Sequence, residues 1–302
     1  MRWLKRIFKW IFSWRAFLVV LFLIIFVMPA IQSSRLESLR EDAISVLEKK
    51  RGSRVIVLIH RQESVNVLGI PVVRYINIDD SEDILRAIRL TDQKMPLDVI
   101  LHTPGGLVLA ASQIAKALKR HPAKTTVYVP HYAMSGGTLI ALAANQIVMD
   151  RNAVLGPIDP QLGDFAAASV LKVIERKTID KVDDTTLILA DQSQKAIAQV
   201  TALAQELLSG KMSAEKAKEI SHRLASGVWT HDFPITAEAA KDLIGLPLST
   251  EMPEEVFQLT GLYRQPRDGQ SSVFYLPGPR YKKGEGAGKE ATTYFHTLHE
   301  DR

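Results

Sequence analysis

Two glycine-bearing turns constrain the fold of this chain more than any other feature. They are HTPGG at residues 102–106 and AMSGGT at residues 133–138. Each turn follows a short apolar run rich in β-branched residues, and each precedes a run with helical period. A strand, a turn and a helix, repeated, are typical of βαβ crossovers. The pattern therefore predicts an α/β fold with a mainly parallel sheet, followed from Ala166 onward by a helical C-terminal half.

Composition divides the chain into five segments. Residues 1–15 are basic and residues 16–32 are apolar, while residues 33–54 have the spacing of an amphipathic stalk helix that Gly52 can terminate. The α/β domain is predicted at residues 55–262. Residues 263–302 are rich in Gly, Pro and charge, so they bury too little apolar surface to offset ordering entropy, and we predict a disordered tail.

The apolar segment predicts one membrane-spanning anchor, with the lipid bilayer as a partner. Its uncharged core, Ala16–Ile31, spans roughly 24 Å as a helix, against the ~30 Å hydrocarbon core of a bilayer. The neighbouring Trp10 and Trp14 suit the membrane interface. A cleaved signal peptide and a buried or interfacial helix are the alternatives, and cleavage is disfavoured because a small-x-small site is hard to find.

Charge favours an extracytoplasmic domain by a small margin. Five Lys or Arg residues lie within residues 1–15, which by the positive-inside rule favours a cytoplasmic N-terminus, but five more lie within residues 35–51. The net charge of +5 is therefore mostly a local cluster that suits anionic lipid, and we expect no nucleic-acid partner.

Composition also excludes several chemistries. The chain has no Cys, which rules out disulfides and a thiol nucleophile. The His, Asp and Glu residues lack the spacing of a metal site, and no dinucleotide glycine fingerprint is followed by a suitable acid. We therefore expect neither metal nor cofactor.

The residues of the two turns suit acyl-transfer chemistry. A serine hydroxyl attacks a carbonyl only when a base takes its proton, and the adduct needs hydrogen-bond donors already in position. Ser135 lies where a helix begins, so its hydroxyl is presented at a tight turn beside unpaired backbone amides. The alternative is that both turns use glycine only for its backbone freedom.

Three segments, in order, carry a resemblance to a known family: LHTPGG, VPHYAMSGGT and NAVLGPIDPQLG. They resemble the superfamily of Clp-type proteases, signal peptide peptidase A and crotonases, and most of all the membrane-anchored serine dehydrogenase proteinase family, over roughly residues 50–250. The resemblance implies a ClpP/crotonase-like spiral of ββα units, serine endopeptidase activity on peptide or protein substrates, and a homo-oligomer. It also implies that Ser135 is the nucleophile and that the amides of Gly106 and Gly136 form the oxyanion hole.

The general base departs from the Clp pattern. Clp-type proteases carry a His about two dozen residues after the Ser, where this chain has Asp159 between Ile158 and Pro160 and has no His before His222. Signal peptide peptidase A relatives use a lysine, which must be desolvated to be neutral near pH 7. The candidates are Lys172, Lys177, Lys181 and Lys195. We favour Lys195, in the predicted long helix where related Ser–Lys peptidases carry theirs; a salt bridge to Asp191 is the alternative.

Two further residues border the predicted site. His131 is interpreted as a supporting residue, with a role as base as the alternative. Asp159 is interpreted as shaping a turn at the edge of the cleft, with a substrate contact as the alternative. The sequence thus favours a membrane-anchored serine peptidase, while a crotonase-like acyl-thioester enzyme and a non-catalytic oligomeric membrane scaffold stay open.

Overall fold

A computed structural model describes residues 14, 17–60, 65–67, 70–72, 74–245 and 248–263. Most of the predicted basic segment and of the predicted tail lie outside these residues. The described N-terminal part is one helix, Phe17–Arg51, long and apolar enough to cross a membrane by length and composition. It includes a π-helical turn at Leu23–Val27, followed by α1 (Met28–Arg51). The predicted anchor and stalk are thus continuous.

Five parallel strands form the main sheet, in the order β1-β4-β5-β7-β12. Their bounds are β1 (Arg54–Ile59), β4 (Leu97–His102), β5 (Thr125–Val129), β7 (Gln146–Met149) and β12 (Leu248–Ser249). The strands β2 (Val65–Val67) and β3 (Ile70–Val72) form a separate antiparallel pair. Every residue of β4 and β5 is buried, as expected of strands covered on both faces. The predicted parallel α/β architecture is confirmed.

Eight further helices complete the described fold. They are α2 (Ile78–Leu90), α3 (Val108–Arg120), α4 (Gly136–Ala143), α5 (Ala167–Arg176), α6 (Asp184–Leu208), α7 (Ala214–Ala225), α8 (Ala237–Ile244) and α9 (Glu254–Gly261). The helix α2 begins at Ile78 because Asn77 and Asp80 form a reciprocal capping box there.

Alternate residues of each strand enter two different cores. Val99, Leu101 and Val127 pack in the larger core, to which α3, α4, α6 and α7 contribute. Ile100 and Tyr128 face the other way and pack in a second core. That second core is completed by Leu47 of α1 and by Val256 and Leu259 of α9. The stalk helix is therefore part of the folded domain.

A small second sheet lies where the main strands end. It has the order β11-β8-β6, from β6 (Tyr132–Ala133), β8 (Val154–Leu155) and β11 (Ile235–Thr236). A bridge between Thr103 and Ala133 joins it to the end of β4. The hairpin of β9 (Gln161–Leu162) and β10 (Phe165–Ala166) follows. Both glycine-bearing turns thus lie at the carboxyl ends of the parallel strands, where α/β folds place their ligands.

Candidate active site

Ser135 occupies a strained turn between β6 and α4. Its φ of 49° and ψ of −114° make it the only described non-glycine residue with a positive φ. Such a backbone costs on the order of 1–3 kcal/mol and is found mainly at functional sites. The turn is closed by the Gly137 N–H, which donates to the Met134 carbonyl at 2.7 Å. A serine on a strained strand-to-helix turn is the geometry of a nucleophile elbow, which holds the hydroxyl clear of the backbone.

Close packing explains the two glycines after Ser135. A Cβ on Gly137 would lie 2.7 Å from the Thr103 Cγ2, and one on Gly136 would lie 2.9 Å from the Ala111 Cβ. Neither distance is compatible with a side chain. The short residues let the start of α4 pack directly on the first turn and on α3.

Backbone hydrogen bonds to Ile76 hold the first turn in place from its outer side. The Ile76 N–H donates to the Gly105 carbonyl at 2.7 Å, and the Leu107 N–H donates to the Ile76 carbonyl at 2.8 Å. In this parallel bridge the N–H of Gly106 itself points to the opposite side. A Cβ on Gly105 would meet the Ser135 Cβ at 2.8 Å, so the first turn packs directly against Ser135.

Two backbone amides consequently lie next to each other beside Ser135. The Gly106 nitrogen is 3.5 Å from the position a Cβ would take on Gly136. Within the described ranges, neither the Gly106 nor the Gly136 N–H has a hydrogen-bond acceptor. Two adjacent unpaired N–H groups can bind an oxygen that gains negative charge, and losing one such donor costs on the order of 100- to 1,000-fold in rate.

A buried network supports the first turn from behind. The Gly105 N–H donates to the Thr103 Oγ1 at 3.1 Å, and the same oxygen lies 3.2 Å from the His60 Nδ1. The His60 Nε2 lies 3.3 Å from the Asp80 Oδ2. Both Thr103 and His60 are buried. The turn therefore has its orientation fixed by side chains from β1, α2 and the end of β4.

Thr138 connects α4 to the segment leading to Asp159. Its buried hydroxyl lies 2.8 Å from the carbonyl oxygens of Ala133 and Gly156, and it accepts from the Gly156 N–H at 3.1 Å. This one side chain joins β6, α4 and the end of β8. The position of Asp159 relative to Ser135 therefore depends on Thr138.

The buried Asp159 pairs with the half-buried His231. Asp159 is 2% exposed, and its Oδ1 lies 2.8 Å from the His231 Nδ1. The Gln161 Nε2 donates to its other carboxylate oxygen at 2.7 Å. His231 is about one-third exposed. A carboxylate that holds one ring nitrogen of a histidine fixes the tautomer and leaves the other nitrogen to act as a base.

Strand register brings this pair to the Ser135 end of the small sheet. Leu155 pairs with Ile235 in antiparallel register at the end of β8, and Asp159 and His231 lie beyond that end. Leu155 also pairs with Ala133 in parallel register, so Ser135 and Asp159 both lie just beyond the same end of β6 and β8. Ser135 and the Asp159–His231 pair therefore follow the same end of the small sheet.

His231 was not among the site residues predicted from the sequence. It lies far along the chain, in the loop before the two-residue strand β11. A signal did exist: Asp159 lies among prolines and apolar residues, where a buried carboxylate requires a hydrogen-bond partner. That requirement directs attention to the histidines after His131, of which His222 lies within α7 and His231 in a loop.

Lys195 forms the salt bridge to Asp191 that was the alternative to its predicted role as base. It lies on α6 with its side chain 66% exposed, and its Nζ pairs with the Asp191 Oδ2 at 2.5 Å. Lys172, Lys177 and Lys181 are exposed as well. The side chains of all four candidate lysines are therefore exposed.

His131 belongs to an aromatic cluster on the strand side of the turn. Its ring packs edge-on against Tyr132, with centroids 5.3 Å apart, and against the buried His102 at 5.5 Å. These contacts fit the supporting role predicted for it. In the described part of the chain, no group of three His, Asp or Glu side chains is arranged to hold a metal ion.

Comparison with known proteins shows similarity over nearly the whole chain. Residues 8–290 match a family model described as ClpP-like SDH-type serine proteinase. An uncharacterized protein of Methanocaldococcus jannaschii is 56% identical over 268 residues, which cover 89% of this chain and 93% of that protein. A second uncharacterized protein of the same organism is 52% identical over 267 residues, covering 88% and 91%.

Solved structures are similar at lower identity. A 1510-N membrane-bound stomatin-specific protease is 19% identical, with a TM-score of 0.43, and the match covers 61% of this chain and 79% of that one. ClpP1 from Listeria monocytogenes is 16% identical, with a TM-score of 0.42, covering 70% and 99%. At identities this low the similarity concerns the fold alone.

Proposed function

The chain belongs to the ClpP-like, SDH-type serine proteinase family, and from that premise we propose that it is a membrane-anchored serine peptidase with a Ser135–His231–Asp159 triad. The observation that carries the proposal is the hydrogen bond between the buried Asp159 and His231, beyond the same end of the small sheet as the strained Ser135. The order Ser, Asp, His along the chain also occurs in the unrelated α/β-hydrolases.

The mechanism follows from these groups. The Nε2 of His231 takes the proton of the Ser135 hydroxyl as its oxygen attacks the peptide carbonyl, and Asp159 stabilises the resulting imidazolium through Nδ1. The carbonyl oxygen, now negative, accepts hydrogen bonds from the amides of Gly106 and Gly136. His231 then gives its proton to the leaving amine. A water molecule, deprotonated by His231, releases the acyl group and restores the Ser135 hydroxyl.

Lys195 is the competing base, and one set of variants separates the two. We expect Ser135→Ala to abolish fluorophosphonate labelling and peptide hydrolysis. Asp159→Asn should lower the hydrolysis rate by about 10⁴-fold, because the wrong histidine tautomer is then favoured. His231→Ala should lower it at least as far.

The control for that set is Lys195→Ala, which removes only a solvent-exposed ion pair and should change hydrolysis by no more than a few-fold. Circular dichroism on each variant checks that the fold is intact. Full activity in His231→Ala together with loss in Lys195→Ala would assign the base to the lysine and refute the triad.

Two other functions use the same groups differently. A crotonase-like acyl-thioester enzyme would use the two amides to bind an enolate and would need no nucleophilic serine, so it would resist fluorophosphonate. A non-catalytic scaffold would neither react with the probe nor turn over. Covalent labelling at Ser135 with hydrolysis of an unfolded protein substrate contradicts both.

Anchoring, membrane side and assembly complete the proposal. The helix Phe17–Arg51 has exposed apolar side chains from Phe17 through Phe26, which suits a lipid environment. We expect the protein to resist alkaline carbonate extraction, the domain to be digested by external protease in intact spheroplasts, and sedimentation in detergent to give a homo-oligomer. Extraction by carbonate would contradict the anchoring, protection from external protease would contradict the membrane side, and a monomer would contradict the assembly. None of these results would contradict the triad.

A further inference from the structure

The direction of α1 relative to the sheet is fixed by a tight connection. Only Gly52 and Ser53 separate α1 from β1, and Gly52 ends the helix with a φ of 62°. The side chain of Glu48, one turn before that end, accepts from the Val55 N–H at 3.0 Å. The helix must therefore double back along the strand that follows it.

Contacts along the helix agree with this direction. Ala43, Ile44 and Leu47 all join the second core, together with residues along the length of β1: Val55, Val57 and Ile59. A helix that pointed away from the sheet could not place three residues over one turn in contact with that core. The helix α1 thus runs antiparallel to β1, across the face of the sheet.

The helix α9 holds α1 at two points well separated along it. Near its C-terminal end, Lys50 forms an ion pair with Glu255. Farther toward the N-terminus, the Arg40 Nη2 donates to the Leu262 carbonyl at 3.0 Å, and its guanidinium lies 4.1 Å from the centroid of the Tyr263 ring. Two such contacts restrict both tilt and direction, so the helix behaves as a rigid part of the domain.

This geometry determines which end of the sheet is nearest the predicted anchor. From Arg51 back to Arg40 the helix covers roughly 16 Å, and β1 covers roughly 20 Å in the same direction. Arg40 is therefore near the level of the carboxyl end of β1, the end where Ser135 lies. The predicted anchor ends at residue 32, only about 12 Å farther along the same helix.

Exposed apolar side chains lie on both sides of the first turn in its pairing with residue 76 at that end. Leu107, Val108 and Leu109, directly after the first turn, are 53%, 47% and 61% exposed. Tyr75, next to the bridge with Gly106, is 53% exposed. Contiguous exposed apolar groups on a folded domain mark membrane or protein contacts.

We infer that α1 is a rigid helix that orients the active-site end of the domain toward the bilayer, with Leu107, Val108 and Leu109 in contact with the lipid surface. The inference rests on the proposed membrane anchoring. The occupant of the patch is lipid because the same helix that packs on the domain continues as the apolar span and brings the bilayer to this end. The substrates are then extended peptide segments that emerge from the membrane beside the anchor.

The absence of cysteine in the sequence makes the orientation directly measurable. Three single-cysteine variants of the full chain carry an environment-sensitive fluorophore: Leu109→Cys on the patch, Lys94→Cys in the loop before β4 at the opposite end, and Val20→Cys in the span. Each is reconstituted in phosphatidylcholine vesicles with and without lipids that bear a shallow nitroxide. Fluorophosphonate labelling of Ser135 reports on the fold of each variant.

We expect nitroxide quenching at positions 20 and 109 and none at position 94. Quenching at 20 with none at 109, or more at 94 than at 109, overturns the orientation while leaving the anchored peptidase intact. A blue-shifted but unquenched fluorophore at 109 means that protein, such as a second copy of the chain, covers the patch, which also overturns it. No quenching at position 20 means that anchoring itself fails, and the orientation fails with it.

A second experiment changes the distance between the site and the bilayer. Two extra helical turns inserted between Ser33 and Ser34 raise the domain by roughly 10 Å without changing the helix phase much. The same residues inserted ahead of Trp3, on the other side of the span, are the matched control. We expect cleavage of a lipid-tethered peptide to fall by roughly tenfold or more in the first variant only, because the tether no longer reaches the site. Hydrolysis of a soluble peptide should be equal in both, and equal cleavage of the tethered peptide contradicts the inference.

Discussion

Thr138 is the residue on which the geometry of the candidate site depends most, through its buried hydroxyl. The hydroxyl hydrogen-bonds to Ala133 in β6 and to Gly156. Because it is buried, water cannot replace either partner. Thr138→Val keeps the shape but leaves buried backbone groups unpaired, so we expect a loss of about 1–3 kcal/mol in the free energy of unfolding. Urea unfolding measures it, with Thr138→Ser as the control that keeps the hydroxyl. Equal stability of the two variants would show that the hydroxyl contributes little.

A second residue-scale prediction concerns pH. The Lys211 Nζ lies 2.6 Å from the carbonyl oxygens of Leu142 and Ala144, at the C-terminal end of α4. Burial, and to a smaller extent the charge of Lys119, lowers the pKa of Lys211 from 10.5 to about 7. Even the neutral amine has two hydrogens, one for each carbonyl.

Because the folded pKa of Lys211 is below the unfolded one, the unfolded chain binds more protons between about pH 7 and 10.5. The contribution of Lys211 to stability therefore rises with pH across that window and is lost as the pH falls through 7. We expect the difference in unfolding free energy between the wild type and Lys211→Met to grow in favour of the wild type from pH 7 to 9. A constant difference would contradict the lowered pKa.

Local sequence was enough to predict some features of the candidate site and not others. The two turns were predictable because glycine, an apolar strand before it and a helix after it all lie within a few residues. The pairing of Asp159 with His231 was not, because it depends on the register between β8 and β11, which are far apart in the chain. The exposure of Lys195 likewise depends on which face of α6 packs inward, and that is decided by α5 and α7.

At the scale of elements, α1 has a buried face that can be tested by neighbouring substitutions. Leu47 is fully buried in the second core, while Val46 is 56% exposed. Leu47→Ala should cost about 2–5 kcal/mol because it removes apolar contacts and leaves a cavity. Val46→Ala, the matched control on the same turn, should change stability little. Chemical denaturation followed by tryptophan fluorescence measures both, and equal effects would show that α1 does not pack as described.

The regular elements were largely predictable and the short ones were not. The strands β4, β5 and β7 have apolar β-branched runs, and Asp183, Ser213 and Thr236, residue types that favour helix N-termini, each cap a helix by accepting a backbone N–H. By contrast, β6, β8 and β11 have two residues each, too few for any periodic pattern. They exist because tertiary contacts, above all the Thr103–Ala133 bridge and Thr138, bring them together.

At the scale of the whole molecule, the domain should fold without its span. Both cores are built from residues beyond Ala43, and the apolar side chains from Phe17 through Phe26 contribute to neither. A chain lacking residues 1–32 should therefore leave the membrane fraction and keep Ser135 labelling within a few-fold of the full chain. Loss of labelling in a chain that still unfolds cooperatively would show that the span supports the site itself.

The backbone of Ser135 has a consequence for how such a sequence changes over generations. Glycine adopts a positive φ without strain, so Ser135→Gly should raise the unfolding free energy by about 1 kcal/mol while removing all hydrolysis, and thermal unfolding can measure this against Ser135→Ala. In a lineage that no longer needs the reaction, we expect substitution at this position to favour glycine. The glycine variant would be more stable, and its loss of activity would carry no cost. A serine retained here is thus a mark of continuing selection, and a glycine in a descendant would date the loss of the activity.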